Sequence, residues 1–196
     1  MNTTAFSNLQ LSQEMLDNLA DVGYTNMTPI QSEALPHIIA GRDIIAQAKT
    51  GSGKTAAFGI GLLQKLKVKK FRVQSLILCP TRELADQVAK ELRILARFTH
   101  NIKILTLCGG VSFRPQEDSL RHEAHIIVGT PGRILKHLNK KTLNLNNVDT
   151  LIFDEADRML DMGFIDEIQQ VLKFVPKQRQ TLFFSATYTD EINAIS

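Results

Sequence analysis

Apolar residues gather in six short continuous runs along this chain: DIIAQA (43–48), QSLILC (74–79), IKILTLC (102–108), HIIVGT (125–130), TLIFDE (150–155) and TLFFSAT (181–187). Runs of this length without alternation fit strands covered on both faces, as in a parallel sheet. Between most of them the period changes to that of a helix. In RELADQVAKELRILARF, Leu84, Val88, Leu92 and Leu95 fall on one stripe at spacings of four, four and three. TPIQSEALPHIIAG opens with a Thr28 cap and Pro29 and closes at Gly41, and PGRILKHL opens with Pro131, which suits a first helical turn. Strand alternating with helix predicts an α/β fold, a mostly parallel β-sheet flanked by helices on both faces and joined by right-handed crossovers. No repeat, low-complexity stretch or linker interrupts the pattern, so residues 1–196 read as a single domain.

In such a sheet ligands sit at the carboxyl ends of the strands. Every oddly composed polar stretch here follows a strand: AKTGSGKT, PTRELA, GG, TPGR, DEAD and SAT. All six are therefore expected to rim one edge. Composition changes this picture little. With 43% hydrophobic and 22% charged residues, 196 residues suit one globular domain burying roughly 70% of the surface of its unfolded chain. No apolar run approaches the ~20 residues of a membrane span, and the opening MNTTAFSNLQ has no charged-then-apolar leader pattern. A cytosolic protein with no membrane partner is the expectation. Cys79 and Cys108 each close an apolar run and read as buried thiols, while His122 and His125 lack partners at metal-ligand spacing. A net charge of +3 permits a nucleic-acid partner without requiring one. The densest basic run, KLKVKKFR (65–72), reads as a solvated helix end and loop rather than a binding patch.

Chemistry enters with Ala48, Lys49, Thr50, Gly51, Ser52, Gly53, Lys54 and Thr55. This stretch matches the phosphate loop G-x-x-x-x-G-K-[ST] except that Ala48 stands in place of the first glycine. It follows a predicted strand and precedes a helical pattern, the context the motif needs. Gly51 and Gly53 allow turns that point backbone N–H groups at phosphate oxygens, and the helix behind adds its positive end. Lys54 supplies charge for the β- and γ-phosphates, and the Thr55 hydroxyl can ligate Mg²⁺. The acidic cluster in LIFDEADRML then has a purpose. Asp154, at a strand end, is placed to hold Mg²⁺, and Glu155 to orient and deprotonate an attacking water. Asp157 is explained in part by the favour a helix N-terminus shows to negative charge.

AKTGSGKT, PTRELA, GG, TPGR, DEAD and SAT, in this order and spacing, resemble the amino-terminal, RecA-like P-loop lobe of the DEAD-box ATP-dependent RNA helicases over essentially the whole chain. The resemblance implies ATP and Mg²⁺ as ligands and RNA as partner. It marks residues 1–32 as an adenine-recognition region, the Q motif, with 33–196 as the P-loop core. GYTNMTPIQ (23–31) is similar to that motif. Gln31 would read the adenine edge, Tyr24 would stack on the base, and Phe6 would be the isolated upstream aromatic. Without the family, Tyr24 and Phe6 read as core aromatics. By the same implication Pro80, Thr81, Arg82, Glu83, Gly109, Gly110, Thr130, Pro131, Gly132 and Arg133 grip the RNA backbone, and Ser185 and Thr187 contact the DEAD carboxylates to couple nucleotide to RNA. The longer stretches QAKTGSGKTAAFG, LCPTRELADQV, ILTLCGG, HIIVGTPGR and DEADRMLDMGF resemble a bacterial branch that acts on ribosomal RNA in large-subunit assembly.

A complete member of the family continues into a second RecA-like lobe carrying arginines that reach the γ-phosphate. The chain stops at Ser196, soon after SAT, so that carboxyl-terminal lobe is expected as a missing partner and the isolated lobe as nearly inactive in hydrolysis. An arginine finger contributes about 10³–10⁵ in rate to related phosphoryl transfers. The competing readings are another RecA-like nucleic-acid-dependent ATPase and a non-enzymatic, nucleotide-switched RNA-binding module.

Overall fold

The six apolar runs are the six strands of one all-parallel sheet: β1 (Ile44–Gln47), β2 (Ser75–Leu78), β3 (Ile104–Leu107), β4 (Ile126–Gly129), β5 (Thr150–Asp154) and β6 (Gln180–Ser185). They come from a computed structural model that describes residues 4–97 and 99–187. Phe98, at the end of the predicted helix 82–98, and the outer ends of the anticipated 1–196 domain lie outside those residues. The order across the sheet is β1-β6-β5-β2-β4-β3. Among the described residues, eight α-helices accompany the strands: α1 (Gln13–Asp21), α2 (Pro29–Ile39), α3 (Lys54–Lys65), α4 (Arg82–Leu95), α5 (Arg114–Leu120), α6 (Pro131–Asn139), α7 (Ala156–Asp161) and α8 (Ile165–Leu172). No helix among the described residues is long and apolar enough to cross a membrane.

Strand residues point alternately to opposite faces, so the runs of β2 to β6 feed two cores, while edge strand β1 gives Ile44 and Ala46 to one of them and leaves Ile45 exposed. Leu76, Leu78, Ile127, Leu151, Phe153 and Phe183 pack with residues of α6, α7 and α8 such as Ile134, Met159 and Ile168. Ile77, Cys79, Ile126, Val128, Ile152, Leu182 and Phe184 pack with α2, α3 and α4 through Ile38, Phe58, Val88 and Leu92. Cys79 and Cys108 are both buried free thiols, as their setting in apolar runs suggests. Burial lifts both, Cys108 to about 11. A smaller cluster of Phe6, Met15, Leu19, Met27, Leu35, Ile60 and Leu95 fastens the amino-terminal segment to the same side as α2, α3 and α4.

Caps set the helix starts nearest the upper edge. Gln31 Oε1 accepts from Thr28 N at 2.9 Å at the start of α2, with Pro29 in its first turn. Thr81 Oγ1 accepts from Leu84 N at 3.3 Å at the start of α4. The predicted α4 stripe is realised: Val88, Leu92 and Leu95 are buried and Leu84 half-buried. Because every strand runs the same way, all six carboxyl ends, and the polar stretches after them, lie along one edge.

Candidate functional site

β1 and β5 flank β6, so the glycine turn after β1 and the acids ending β5 meet at the β6 terminus. Ala48 N donates to Ser185 O at 2.8 Å and Gln47 Nε2 to Ala186 O at 3.1 Å, tying the turn to the chain leaving β6. Gly51 (φ 80) and Gly53 (φ 93) occupy the left-handed region. A Cβ on Gly53 would also lie 2.5 Å from Gln31 Nε2, so this position needs glycine for space as well as for conformation.

Lys54 and Asp154 face each other in the buried floor of this turn, 6% and 2% exposed, with Nζ and Oδ1 3.9 Å apart. That distance is an ion-pair contact too long for a hydrogen bond. Both atoms are buried without a hydrogen-bond partner among the described residues, as is Ser52 Oγ. Buried, unsatisfied opposite charges are costly unless something enters to complete them. A triphosphate oxygen suits Lys54, a hydrated divalent cation suits Asp154, and the Thr55 hydroxyl is a neutral oxygen ligand beside them; the donor set fits magnesium-nucleotide. Burial pushes the Asp154 carboxyl up to about 6 against the pull of Lys54, with the Glu155 charge pushing the same way. An incoming cation would reverse that balance and restore the carboxylate.

Glu155 sits at φ 52, uncommon for a residue with a Cβ, at the start of α7. Its two oxygens are held from opposite sides: Thr50 Oγ1 donates to Oε1 and Arg158 Nη1 to Oε2, each at 3.1 Å. The carboxylate is thus aimed from the strand end toward the glycine turn. Asp157 has another task. Its Oδ2 accepts from Ala186 N (3.1 Å), Thr187 N (2.9 Å) and Thr187 Oγ1 (2.9 Å), while its own N donates to Ser185 Oγ (3.2 Å). Burial alone would raise its carboxyl, but donors from Thr187 and Ser185 outweigh that and hold it below the ordinary carboxylate value. The link between SAT and the acidic stretch therefore runs through the last carboxylate of DEAD.

The Q-motif residues lie behind the turn. Gln31 is buried; Oε1 accepts from Thr28 N (2.9 Å) and Nε2 donates to Gly53 O (3.1 Å), leaving one amide hydrogen and one lone pair for a base edge. Phe6 is 4% exposed and belongs to the core, and half-buried Tyr24 packs against it edge-on at 6.3 Å. The Tyr24 hydroxyl donates to Glu91 Oε1 at 3.1 Å. Burial, then the Glu91 charge, push Tyr24 up to about 12; burial also raises Glu91, while the Tyr24 and Thr55 hydroxyls pull it back. Glu91 is a member of this site that sequence reasoning missed. It occupies a position outside the apolar stripe of α4, where nothing separates it from an ordinary solvated carboxylate. Arg158 was missed similarly, since its only signal is its i,i+3 spacing from Glu155.

Farther along the same edge lie the stretches expected to grip RNA. Pro80 is buried, Thr81 half-buried, and Arg82 and Glu83 are exposed at the start of α4, with Arg82 paired to Asp86 at 3.5 Å. Gly110 (φ 76) makes the turn after β3, next to half-buried Gly109. Thr130 starts α6, with Pro131 buried and Gly132 exposed. Arg133 turns back rather than outward: Nη1 donates to Gln116 Oε1 (2.9 Å) and Nη2 to Val111 O (2.8 Å), bracing the glycine loop against α6.

That brace includes His137. The ring is fully buried, stacks on Phe113 at 4.1 Å, and contacts Thr142 Oγ1 (2.8 Å) and Gln116 Oε1 (3.2 Å). Burial, followed by the charges of Arg133, Lys136 and Lys140, lowers it to about 4. The folded state thus takes up this proton less readily than the unfolded chain. Its stabilising effect is complete above about pH 6.5 and is lost as pH falls toward 4. Urea titrations at pH 7 and pH 4.5 should show a smaller acid loss in His137→Gln than in the parent; equal losses would contradict this.

Comparison with known proteins agrees with this architecture. The model of the DEAD/DEAH box helicase family matches residues 28–195. ATP-dependent RNA helicase DbpA of Escherichia coli is 62% identical over 98% of this chain and 42% of its own length. DEAD-box ATP-dependent RNA helicase CshA of Bacillus cereus is 49% identical over 98% of this chain and 37% of its own. A crystal structure of a DEAD box protein from the hyperthermophile Methanococcus jannaschii superposes with a TM-score of 0.92 at 43% identity, covering 98% of this chain and 52% of that one. The chain spans about half or less of the proteins it matches, and within that span it belongs to the DEAD/DEAH box helicase family.

Proposed function

We propose that this chain is the ATP-binding and RNA-gripping lobe of an ATP-dependent RNA helicase, acting in the cytoplasm on ribosomal RNA during large-subunit assembly. The observation that carries the reading is the buried, incompletely satisfied Lys54–Asp154 pair beneath a glycine turn, with Glu155 braced beside it. In this reading the backbone N–H groups of 48–55 cradle the phosphates, Lys54 binds the β- and γ-oxygens, and Thr55 and Asp154 hold the cation. Magnesium bound there neutralises phosphate charge and favours attack at the γ-phosphoryl group. Glu155 takes the proton of the attacking water, and Gln31 reads the adenine edge with its spare donor and acceptor. Tyr24 borders the base, and Phe6 supports Tyr24 from the core.

RNA lies along PTRE, GG and TPGR, where backbone N–H groups and helix starts suit sugar–phosphate contact without reading sequence. Asp157, Ser185 and Thr187 join the acidic strand end to the chain leaving β6, providing a route by which nucleotide state reaches RNA. The ribosomal substrate is supported by the stretches shared with the bacterial branch that acts on it. Closure over ATP requires a second RecA-like lobe with its arginines, so this lobe alone binds nucleotide weakly and hydrolyses it negligibly.

An ATPase assay on a protein uniting this lobe with its second lobe should show stimulation by ribosomal RNA fragments and little by DNA of the same sequence. The 196-residue chain alone should stay at background. Equal stimulation by DNA would favour a different nucleic-acid-dependent ATPase. RNA-stimulated turnover by the lone lobe at the two-lobe rate would remove the need for a partner lobe.

A further inference from the structure

The basic run at 65–72 leads from α3 into β2, at the amino-terminal edge of the sheet and opposite the nucleotide site. Lys65 is turned inward, donating to Gln180 Oε1 (2.7 Å) and Thr150 Oγ1 (3.3 Å). The loop beyond it is held in a defined shape by two buried side chains. Gln74 accepts from Lys67 N (2.9 Å) and donates to Lys67 O (3.0 Å) and Lys70 O (2.8 Å). His125 Nδ1 accepts from Lys103 N (3.1 Å), so Nε2 carries the hydrogen and donates to Val68 O (2.9 Å).

This clamp leaves Lys67, Lys69 and Lys70 exposed, and none of them forms an ion pair among the described residues. Among them Phe71 is 53% exposed. Its ring lies 4.6 Å from the buried His125 ring, fixed from one side and open on the rest.

We propose that the loop 67–72 is a second RNA contact, in which Phe71 stacks on a base and Lys67, Lys69 and Lys70 bind phosphates of the same single-stranded segment. Unpaired cations around an aromatic ring are the combination that binds single strands independently of sequence. A ring already resting against His125 loses less freedom when a base stacks on it than a fully free one. Strands of four to six residues rise about 3.3 Å per residue, so this contact lies about 13–20 Å from the nucleotide edge. The inference rests on the RNA-binding reading above and extends the RNA path to the far side of the lobe.

The test is fluorescence anisotropy of a labelled oligouridylate of about 20 nucleotides titrated with this chain across a salt series. The triple variant Lys67→Gln, Lys69→Gln, Lys70→Gln should weaken binding and reduce the slope of log affinity against log salt by about 2. Phe71→Ala should weaken binding by at least about fivefold while leaving the slope unchanged. The glutamines replace exposed side chains without touching the Gln74 clamp, so loss of fold does not confuse that arm. Parental affinity and slope in either variant overturn the second contact while leaving the RNA reading intact. No RNA binding by the parent overturns both.

Discussion

Glu155→Gln, in a protein containing both lobes, is expected to retain nucleotide and RNA binding while single-turnover ATP hydrolysis falls by about 10²–10⁴, the contribution of a positioned general base. The structure explains why binding should survive. The glutamine can place its oxygen toward Arg158 and its amide nitrogen toward Thr50, whose hydroxyl accepts as readily as it donates. The brace and the left-handed start of α7 are then preserved, and only the capacity to accept a proton is lost. Hydrolysis within a few-fold of the parent would show that another group takes the proton.

Lys54→Ala should weaken binding of a fluorescent ADP analogue with magnesium by about 10² or more, typical for truncating one member of a buried charge pair. Stability of the unliganded lobe should change far less. At 3.9 Å without a hydrogen bond, the attraction between Lys54 and Asp154 offsets only part of the cost of burying both charges. Removing the ammonium lifts the Asp154 carboxyl further above about 6, and the side chain can shed its charge by taking a proton. Thermal melts with and without nucleotide should therefore separate the effects, with the ligand-induced rise in melting temperature lost and the unliganded midpoint nearly kept. An affinity within a few-fold of the parent would remove Lys54 from phosphate binding.

Much of this site could be read from the sequence because its parts are local. A glycine turn, a lysine and a hydroxyl lie within eight residues, and the acids end an apolar run that predicts a strand. The common direction of all strands then follows from the intervening helices. Placement of β6 between β1 and β5 does not follow, because strand order depends on where each crossover lands. Phe6 and Tyr24 illustrate another limit. An aromatic residue in an amino-terminal segment can cover a core or a ligand, and only tertiary packing reveals that these two pack edge-on in a cluster with Leu19 and Leu35. Glu91 and Arg158 were hidden because an exposed-looking charge gains meaning only from what the fold sets opposite it. The basic run was legible as a loop, yet the Gln74 clamp that orders it comes from a residue whose letter suggests nothing.

β1 borders only β6, so one side of its backbone lacks a sheet partner among the described residues, and Ile45 there is 40% exposed. Such a margin presents unpaired amides and carbonyls beside greasy side chains, a template that any extended peptide can copy. Crowding this lobe in a test tube therefore invites copies to stick margin to margin, and a lysine at position 45 is the kind of guard that would keep them apart.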